Sequence, residues 1–311
     1  MVGDVVTSVR SQSPASRMRR PEPGHLGLYG PGSEAWRINR EAMLLLGAGP
    51  RSLLMQIAHP LIAEGVDQHS DFREDPWRRL QGTIRSYLRV VYGTTAEARG
   101  EISRLNSLHR SINGPVRDPA AAVSSGASRY SARDPELSLW VHATLVDSTI
   151  VAYDAWIEPL TRAQRSRYYA ETRPIGRAFG ISNELLPADL DSFEAYMGRM
   201  LAPDGPVHVT PTAQELARFV LHPSLGQIFR PLGILPAPLY AWTNWPAIAL
   251  LPDRVRAEFD LPWTPGHRAV AGWLLAAWQF WRPLLPVGFR TFRQARLAEE
   301  RSGRESTTTA R

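Results

Sequence analysis

Hydrophobic residues recur along most of this 311-residue chain at the three- and four-residue spacing of amphipathic helices. Ser33 and Asp75-Pro76 are typical of helix starts, and Gly47 to Pro50 and Gly114-Pro115 are typical of helix ends. The pattern predicts helices over about residues 33–46, 51–66, 75–92, 95–113, 135–159, 161–180 and 189–201. The chain is therefore predicted to be a succession of helices.

Three segments depart from this regular pattern. His59-Pro60 predicts a kink in the second helix, with the His59 side chain satisfying the local break. Residues 118–129 have mostly small side chains, which predicts a loop. Residues 231–252 are uncharged and about long enough to cross a bilayer, but their five prolines argue against a spanning helix. We interpret them as an apolar cap, with peripheral membrane contact as the alternative.

The region after that cap is rich in tryptophan. Residues 269–296 carry Trp273, Trp278 and Trp281 and are interrupted by Pro283 and Pro286. An aromatic stripe at helical spacing is more often core than a cofactor site, so we expect these indoles to be buried.

The two ends of the chain differ in composition from its middle. Residues 1–30 are rich in Ser, Pro, Gly and Arg, which predicts a disordered arm, and a disordered tail is expected over 299–311. The 43% hydrophobic content suffices for one domain over 31–298. Arg19-Arg20 lacks the following apolar segment of an export signal, so a cytoplasmic location is expected.

The charge and the missing residue types exclude several functions. The net charge of +6 comes from arginine alone, because the chain has no lysine, and 30 acids are interspersed. These charges could form a surface for nucleic acid or anionic lipid, but the interspersed acids favour a biased codon composition as their cause, so we expect no nucleic-acid partner. The absence of cysteine excludes disulfides, thiolate-ligated haem, iron–sulfur clusters and cysteine nucleophiles.

Two histidines lie where the pattern predicts apolar faces. His109 falls with Ile102, Leu105 and Ile112 within an arc of about 80° on a helix. His142 lies similarly among apolar neighbours. Since each nitrogen of a buried imidazole needs a partner, both residues are candidate metal ligands.

A series of motifs between about residues 34 and 200 resembles the latex-clearing-protein (rubber oxygenase) family and its relatives, which include an endoplasmic-reticulum-bound oxygenase. The motifs are Gly49-Pro50-Arg51, residues 53–60, His69-Ser70, Asp75-Pro76, Arg79-x-x-x-Thr83, His109, Tyr130-Ser131-Ala132-x-Asp134-Pro135, residues 140–144 around His142, and Tyr168-Tyr169-x-Glu171. No single motif is diagnostic, but their order and spacing together are characteristic.

The resemblance implies an all-α, globin-like fold that holds b-type haem and reacts with dioxygen and a small apolar substrate. By motif position, His109 would bind the iron, Arg79 and Thr83 would line the haem and serve catalysis, and His142 would be a second candidate at the cofactor. One position departs from the family. Rubber oxygenases have a lysine before the matching threonine that can cap the iron, whereas this chain has Gly82.

Two alternatives to a haem oxygenase remain open from the sequence. A non-enzymatic carrier of haem or an apolar ligand would use the same helices. A non-haem metal site could be built from His59, Glu64 and His69, since two imidazoles and a carboxylate form a common site for ferrous iron. Glu64 also lies near the expected place of a general base, but the sequence assigns no base.

Overall fold

The described residues form an all-α fold, as the sequence predicts, with one two-stranded antiparallel sheet. The structure is a computed structural model that describes residues 27–70, 76–221 and 245–309. No helix within these ranges is long and apolar enough to cross a bilayer.

The elements follow the chain in a simple order. The helices are α1 Glu34–Asn39, α2 Leu44–Ile57, α3 Pro60–His69, α4 Pro76–Tyr92, α5 Thr95–Ser111, α6 Pro119–Ser125, α7 Pro135–Trp156, α8 Arg162–Ala178, α9 Leu190–Met200, α10 Pro211–Leu221, α11 Asp253–Glu258, α12 Pro265–Trp281, α13 Val287–Arg290 and α14 Arg293–Thr309. A 3₁₀ turn spans Arg282–Leu284, and strands β1 Asn113–Pro115 and β2 Arg129–Ser131 pair around α6.

Helices α2 and α7 run antiparallel at the centre of the fold. At one end, Gly47 lies directly against the indole of Trp156. At the other end, the indole of Trp140 donates a hydrogen bond to the backbone oxygen of Met55 over 3.0 Å. Both indoles are almost fully buried, so the two helices are held close along their whole length.

Between these two contacts lies the buried side chain of Arg51. Its guanidinium donates to Asp147 and Ser148 of α7, each over 2.7 Å, and to the backbone oxygen of Leu250, also over 2.7 Å. A buried cation is tolerated only when it is paired and its donors are satisfied. Arg51 therefore ties α2 to α7 and to the chain before α11.

Helices α4 and α5 form an antiparallel hairpin beside this central pair. Gly93 makes the tight turn, because a Cβ there would lie 2.4 Å from the backbone oxygen of Arg89. Thr94 and Glu97 then form a reciprocal capping box at the start of α5. Further along the hairpin, hydrogen bonds from Arg104 and Ser86 hold the pKa of buried Glu101 at about 2.

Several predicted helix ends are correct. Ser33 is the N-cap of α1, since its hydroxyl accepts from the amide of Trp36 over 3.1 Å. Helix α4 ends at Tyr92, and α8 and α9 lie within their predicted ranges. Asp75, the predicted cap of α4, lies outside the described residues.

The predicted break at residues 47–50 is wrong. Helix α2 runs through Gly47 and Pro50, and the break falls at residues 40–43 instead. Gly47 is required for contact with α7 rather than for a turn, which local sequence does not reveal. The kink predicted at His59-Pro60 is a full boundary, with His59 as the N-cap of α3 and Pro60 at its first position.

The structure also has helices where the sequence predicts a loop and a disordered tail. Residues 118–129 contain helix α6, capped by Asp118 and closed by Gly126 at φ 64°. The tail expected to be disordered from Glu299 continues helix α14 to Thr309, and the Glu299 carboxylate accepts from the Trp36 indole. Within the predicted arm, Tyr29 is buried in the core. Most of the predicted cap lies outside the described residues, and residues 245–249 of it are helical.

The expected burial of the tryptophan stripe is wrong for two of its three members. Trp278 is half-buried and packs against Trp156 with ring centroids 6.4 Å apart. Trp273 is 66% exposed and Trp281 is 58% exposed. Helix α12 is therefore apolar on both its inner and its outer face.

The glycine contact gives a direct test of the α2–α7 pair. In Gly47→Ala the new Cβ would lie 2.4 Å from the Trp156 ring nitrogen. Because that indole is buried, overpacking should lower the free energy of unfolding by about 1–3 kcal/mol. Urea denaturation followed by circular dichroism measures this change.

Gly49→Ala is the matched control in the same helix, since no atom of the described residues lies within 4 Å of its Cβ position. This substitution should be neutral or stabilise by about 0.5–1 kcal/mol, because alanine favours helix. Equal stability of the two variants would contradict the close packing of α2 on α7.

Candidate functional site

His109 lies in the last turn of α5, where it is half-buried. Its ring faces Phe179 at the end of α8, with the two ring centroids 6.3 Å apart. The amide of Asn106 donates to the backbone oxygen of Ala178 over 2.9 Å and so fixes α5 against α8. The imidazole is thus held by a neighbouring helix but is still reachable from outside.

The electrostatic surroundings keep His109 neutral. Burial lowers the pKa of His109, and the nearby positive charge of Arg79 lowers it further. Neutral imidazole is the form that binds a metal through a ring nitrogen. The side chain is therefore in the protonation state that a ligand requires.

Arg79 and Thr83 lie one turn apart on α4, and both are exposed. The Thr83 hydroxyl donates to the backbone oxygen of Arg79 over 3.1 Å, a common bond for threonine within a helix. The structure thus brings Arg79 and His109 into one electrostatic neighbourhood, as the motifs suggest.

The surface beside His109 is open in the part of the chain that the structure describes. Gln81, Gly82 and Thr83 of α4 are exposed, and Leu108 of α5 is 45% exposed. A Cβ built at Gly82 would meet nothing within 4 Å among these residues. We call Arg79, Gly82, Thr83, Leu108 and His109 the α4–α5 face.

His142 lies elsewhere, on the inner side of α7. It is almost fully buried, and its Nε2 atom has no hydrogen-bond partner among the described residues. A Cβ at Gly176 would be 3.4 Å from that nitrogen, and Leu186 adjoins the same space. Burial lowers the pKa of His142 to about 4. The backbone of α8 at Gly176 lies beside this nitrogen.

His59 is also buried and neutral, since burial lowers its pKa to about 4. As the N-cap of α3 it makes no capping hydrogen bond through its side chain, and its Nδ1 atom has no partner among the described residues. The expectation that the His59 side chain satisfies the local helix break is therefore wrong.

The possible non-haem site of His59, Glu64 and His69 is not assembled. Both oxygens of Glu64 accept backbone amides, from Arg117 over 2.8 Å and from Asp118 over 3.1 Å. His69 is engaged with the backbone oxygen of Asn113. Over residues 27–70, 76–221 and 245–309, no three histidine, aspartate or glutamate side chains come together as a metal site. Glu64 instead anchors the segment that leads into α6.

Other motif residues stabilise the framework. The hydroxyl of Tyr87 donates to Asn39 over 2.6 Å, and buried Tyr168 reaches the same oxygen at 3.5 Å. Glu171 accepts the amide of Ala35 over 2.7 Å at the start of α1, where a negative charge is favourable. Asp134 caps α7.

Sequence reasoning missed Phe179, which closes one side of His109. Phe179 is 70 positions away in the chain and belongs to no motif with His109. Only the docking of α8 against α5 brings the two rings together.

Comparison with known proteins finds a matching protein family. The family model described as "ER-bound oxygenase mpaB/B'/Rubber oxygenase, catalytic domain" matches residues 36–281. Two proteins that carry the name uncharacterized protein, Mb2261 of Mycobacterium bovis and Rv2237 of Mycobacterium tuberculosis, are each 25% identical over 242 residues. The match covers 76% of this chain and 88% of each relative. No solved structure matches the chain significantly.

Buried His142 makes stability depend on pH. The unfolded chain protonates this imidazole below about pH 6.5, whereas the folded chain does so only below about pH 4. Stability is therefore lost as the pH falls from 6.5 towards 4, by about 2 kcal/mol at pH 5 from this residue. His142→Leu, which fills a similar volume with an apolar group, should remove that part of the loss.

Urea denaturation of both proteins at pH 7 and pH 5 checks this expectation. The variant should lose less stability than the wild type between the two values. An identical loss in both proteins would show that the pKa of His142 is the same in the folded and unfolded chains and would contradict the lowering of this pKa by burial.

Proposed function

Because the chain belongs to the catalytic-domain family of ER-bound oxygenases and rubber oxygenases, we propose that it is a b-type haem-dependent oxygenase acting with dioxygen on a small apolar substrate. The observation that carries this proposal is the α4–α5 face, where a half-buried, neutral His109 lies near the cation Arg79. The family description also names a rubber oxygenase, whose polymer substrate is apolar.

The residues of this face fit haem b in their chemistry. A neutral histidine is a usual axial ligand of non-covalent haem, and bound haem would supply the iron that reacts with dioxygen. Phe179 offers an aromatic surface beside the imidazole. The exposed positions of α4 leave the side open for a large planar group. The α8 backbone lies beside the Nε2 atom of His142, so we propose that His109 rather than His142 would hold the iron.

In this proposal Arg79 binds a haem propionate. A guanidinium can donate two parallel hydrogen bonds to one carboxylate, which fixes both position and orientation. The same charge lowers the pKa of His109 and so preserves its neutral form. One arginine would thereby serve both the cofactor and its ligand.

Thr83 and Gly82 would border the space in which the substrate binds. Glycine at 82 brings no side chain that could occupy this space, unlike the lysine in rubber oxygenases. Small molecules could therefore approach without displacing a protein group. The role of Thr83 is to offer a hydroxyl near the reacting molecules after releasing its bond to the Arg79 backbone.

A carrier of haem or an apolar ligand is the second candidate function. Two side chains that could transfer protons, those of Thr83 and Glu64, are already engaged in hydrogen bonds, and this favours the carrier. The Thr83 hydroxyl is bonded to its own helix, and both oxygens of Glu64 hold backbone amides. A protein that only binds haem would need neither group for chemistry.

The axial role of His109 gives the first test of this function. Wild-type protein should purify with non-covalent haem, or take it up, with a Soret band in the absorption spectrum. His109→Ala should lose most of that band because the iron loses its protein ligand. His142→Leu is the matched histidine control and should retain it.

A variant that adds a possible iron ligand tests the same assignment without the risk that a lost signal reflects unfolding. Gly82→Lys adds an amine where the structure has open space, and it replaces a helical glycine with a better helix former. Its ferric spectrum should change from five-coordinate or water-ligated to six-coordinate low-spin. A Soret band unchanged in His109→Ala, or lost in His142→Leu alone, would refute the assignment.

Arg79 and Thr83 together separate an oxygenase from a carrier. Arg79→Ala removes charge-assisted hydrogen bonds worth about 1.5–3 kcal/mol, which should lower haem affinity roughly ten- to hundredfold. Thr83→Ala should keep haem but lose oxygen-dependent turnover of apolar substrates. Haem titration and oxygen uptake measure the two effects in the same preparations.

Each result has a clear reading. Unchanged haem affinity in Arg79→Ala would refute the propionate role. Haem-loaded wild type that consumes no oxygen with a broad panel of apolar substrates and reductants would favour the carrier. The ratio of oxygen uptake to bound haem, rather than uptake alone, is compared so that partial haem loss does not imitate a catalytic defect.

A further inference from the structure

The exposed large hydrophobic side chains are concentrated near the end of the chain. Of the eleven such residues in the described ranges, seven lie between positions 273 and 297. They include Trp273, Phe280, Trp281 and Phe289, each more than half exposed. Single exposed hydrophobics are ordinary, but a contiguous apolar patch marks an interaction surface.

The outer face of α12 shows the spacing of a helix that lies on another surface. Ala269, Trp273, Ala276 and Phe280 are separated by four, three and four residues, and all are exposed. The opposite face of α12 already packs on the core through Leu275 and Trp278. The outer stripe is therefore apolar without serving the core.

Beyond α12, further exposed apolar side chains follow along the chain in the 3₁₀ turn and α13. Leu284 is 68% exposed, and Phe289 is 77% exposed. We call the exposed residues of positions 269–293 the aromatic surface.

The charged residues within this segment of the sequence are all positive. Residues 261–298 contain five arginines and no aspartate or glutamate, although the chain has 30 acidic residues. Arg268 and Arg293 are exposed at the two ends of the aromatic surface. Arg282 is the member that pairs with a distant acid, Glu41, over 2.7 Å. The surface thus combines aromatic side chains with a cationic border.

This combination argues against a second copy of the chain as the occupant. A symmetric dimer would place the same cationic patch on both sides of the interface and bring like charges together. An anionic lipid surface instead complements the arginines and accepts the tryptophan and phenylalanine rings at the depth of its headgroups.

We propose that the aromatic surface is a peripheral membrane-binding site for bilayers that contain anionic lipid. Helix α12 lies parallel to the bilayer, with Trp273 and Phe280 inserted at the interface and Arg268 and Arg293 against the headgroups. The contact therefore lies on α12 and α13 rather than on residues 231–252. It requires no turnover, so its test is independent of the proposed oxygenase activity.

The test is co-sedimentation of the full-length protein with two kinds of vesicle. One contains 30% phosphatidylglycerol in phosphatidylcholine, and the other is phosphatidylcholine alone. Binding should be much stronger to the anionic vesicles and should weaken in 0.5 M salt, since screening acts on exposed charges.

Variants separate the two contributions to binding. Trp273→Ser with Phe289→Ser should lower partitioning at least about tenfold by removing apolar burial. Arg268→Gln and Arg293→Gln should each lower it about fivefold through loss of attraction to anionic headgroups. Val123→Ser is the matched control, because Val123 is an 85% exposed residue on α6, outside the aromatic surface.

Melting temperature and sedimentation velocity without lipid complete the test. Both should be unchanged in the Trp273 and Phe289 double variant, because an uncovered surface contributes little to folding or self-association. Equal sedimentation of wild type and variants with anionic vesicles would overturn the proposal. So would a lower melting temperature or a dimer that dissociates in the variant, since protein would then cover the surface.

Discussion

The buried guanidinium of Arg51 is the interaction on which the arrangement of the helices depends. It joins α2 to α7 through Asp147 and Ser148 and reaches the backbone at Leu250, 199 positions away. Removing one partner of such a pair commonly costs several kcal/mol, because the remaining charge stays buried. With the contacts of Gly47 and Trp140 on either side, this bond sets the distance and register of the central helix pair.

Most residues of the sequence motifs support this frame, while a few face outward. Glu64, Asp134 and Glu171 hold backbone amides, and Tyr168 lies within the core. The carboxylates stabilise the fold by accepting hydrogen bonds, since an unpaired buried amide would cost free energy. His109 and the exposed turn of α4 are different, because they are not needed to satisfy the core. The residues of the α4–α5 face could therefore vary without changing the helical core.

The two proposed surfaces have different physical requirements. The α4–α5 face would bind a planar cofactor through a neutral ligand and a neighbouring cation, which requires partial burial and fixed geometry. The aromatic surface would bind a fluid, anionic layer, which requires exposed rings and flexible cationic side chains. If the substrate is apolar, as proposed, it would partition into the same bilayer that the aromatic surface contacts. Each proposal nevertheless stands on its own residues and its own measurements.

The sequence alone determined the helical fold, most helix ends between residues 75 and 201, and the motifs that identify the family, because helical spacing and capping residues act over three to four positions. It could not determine that Gly47 lies inside a helix, that Trp273 faces outward, or that Phe179 contacts His109. Each of these depends on residues far away in the chain, and only tertiary packing decides which face of a helix is covered. For the same reason the sequence predicts that α12, which is apolar on both faces, lies in the core, although just one of these faces packs against other described residues.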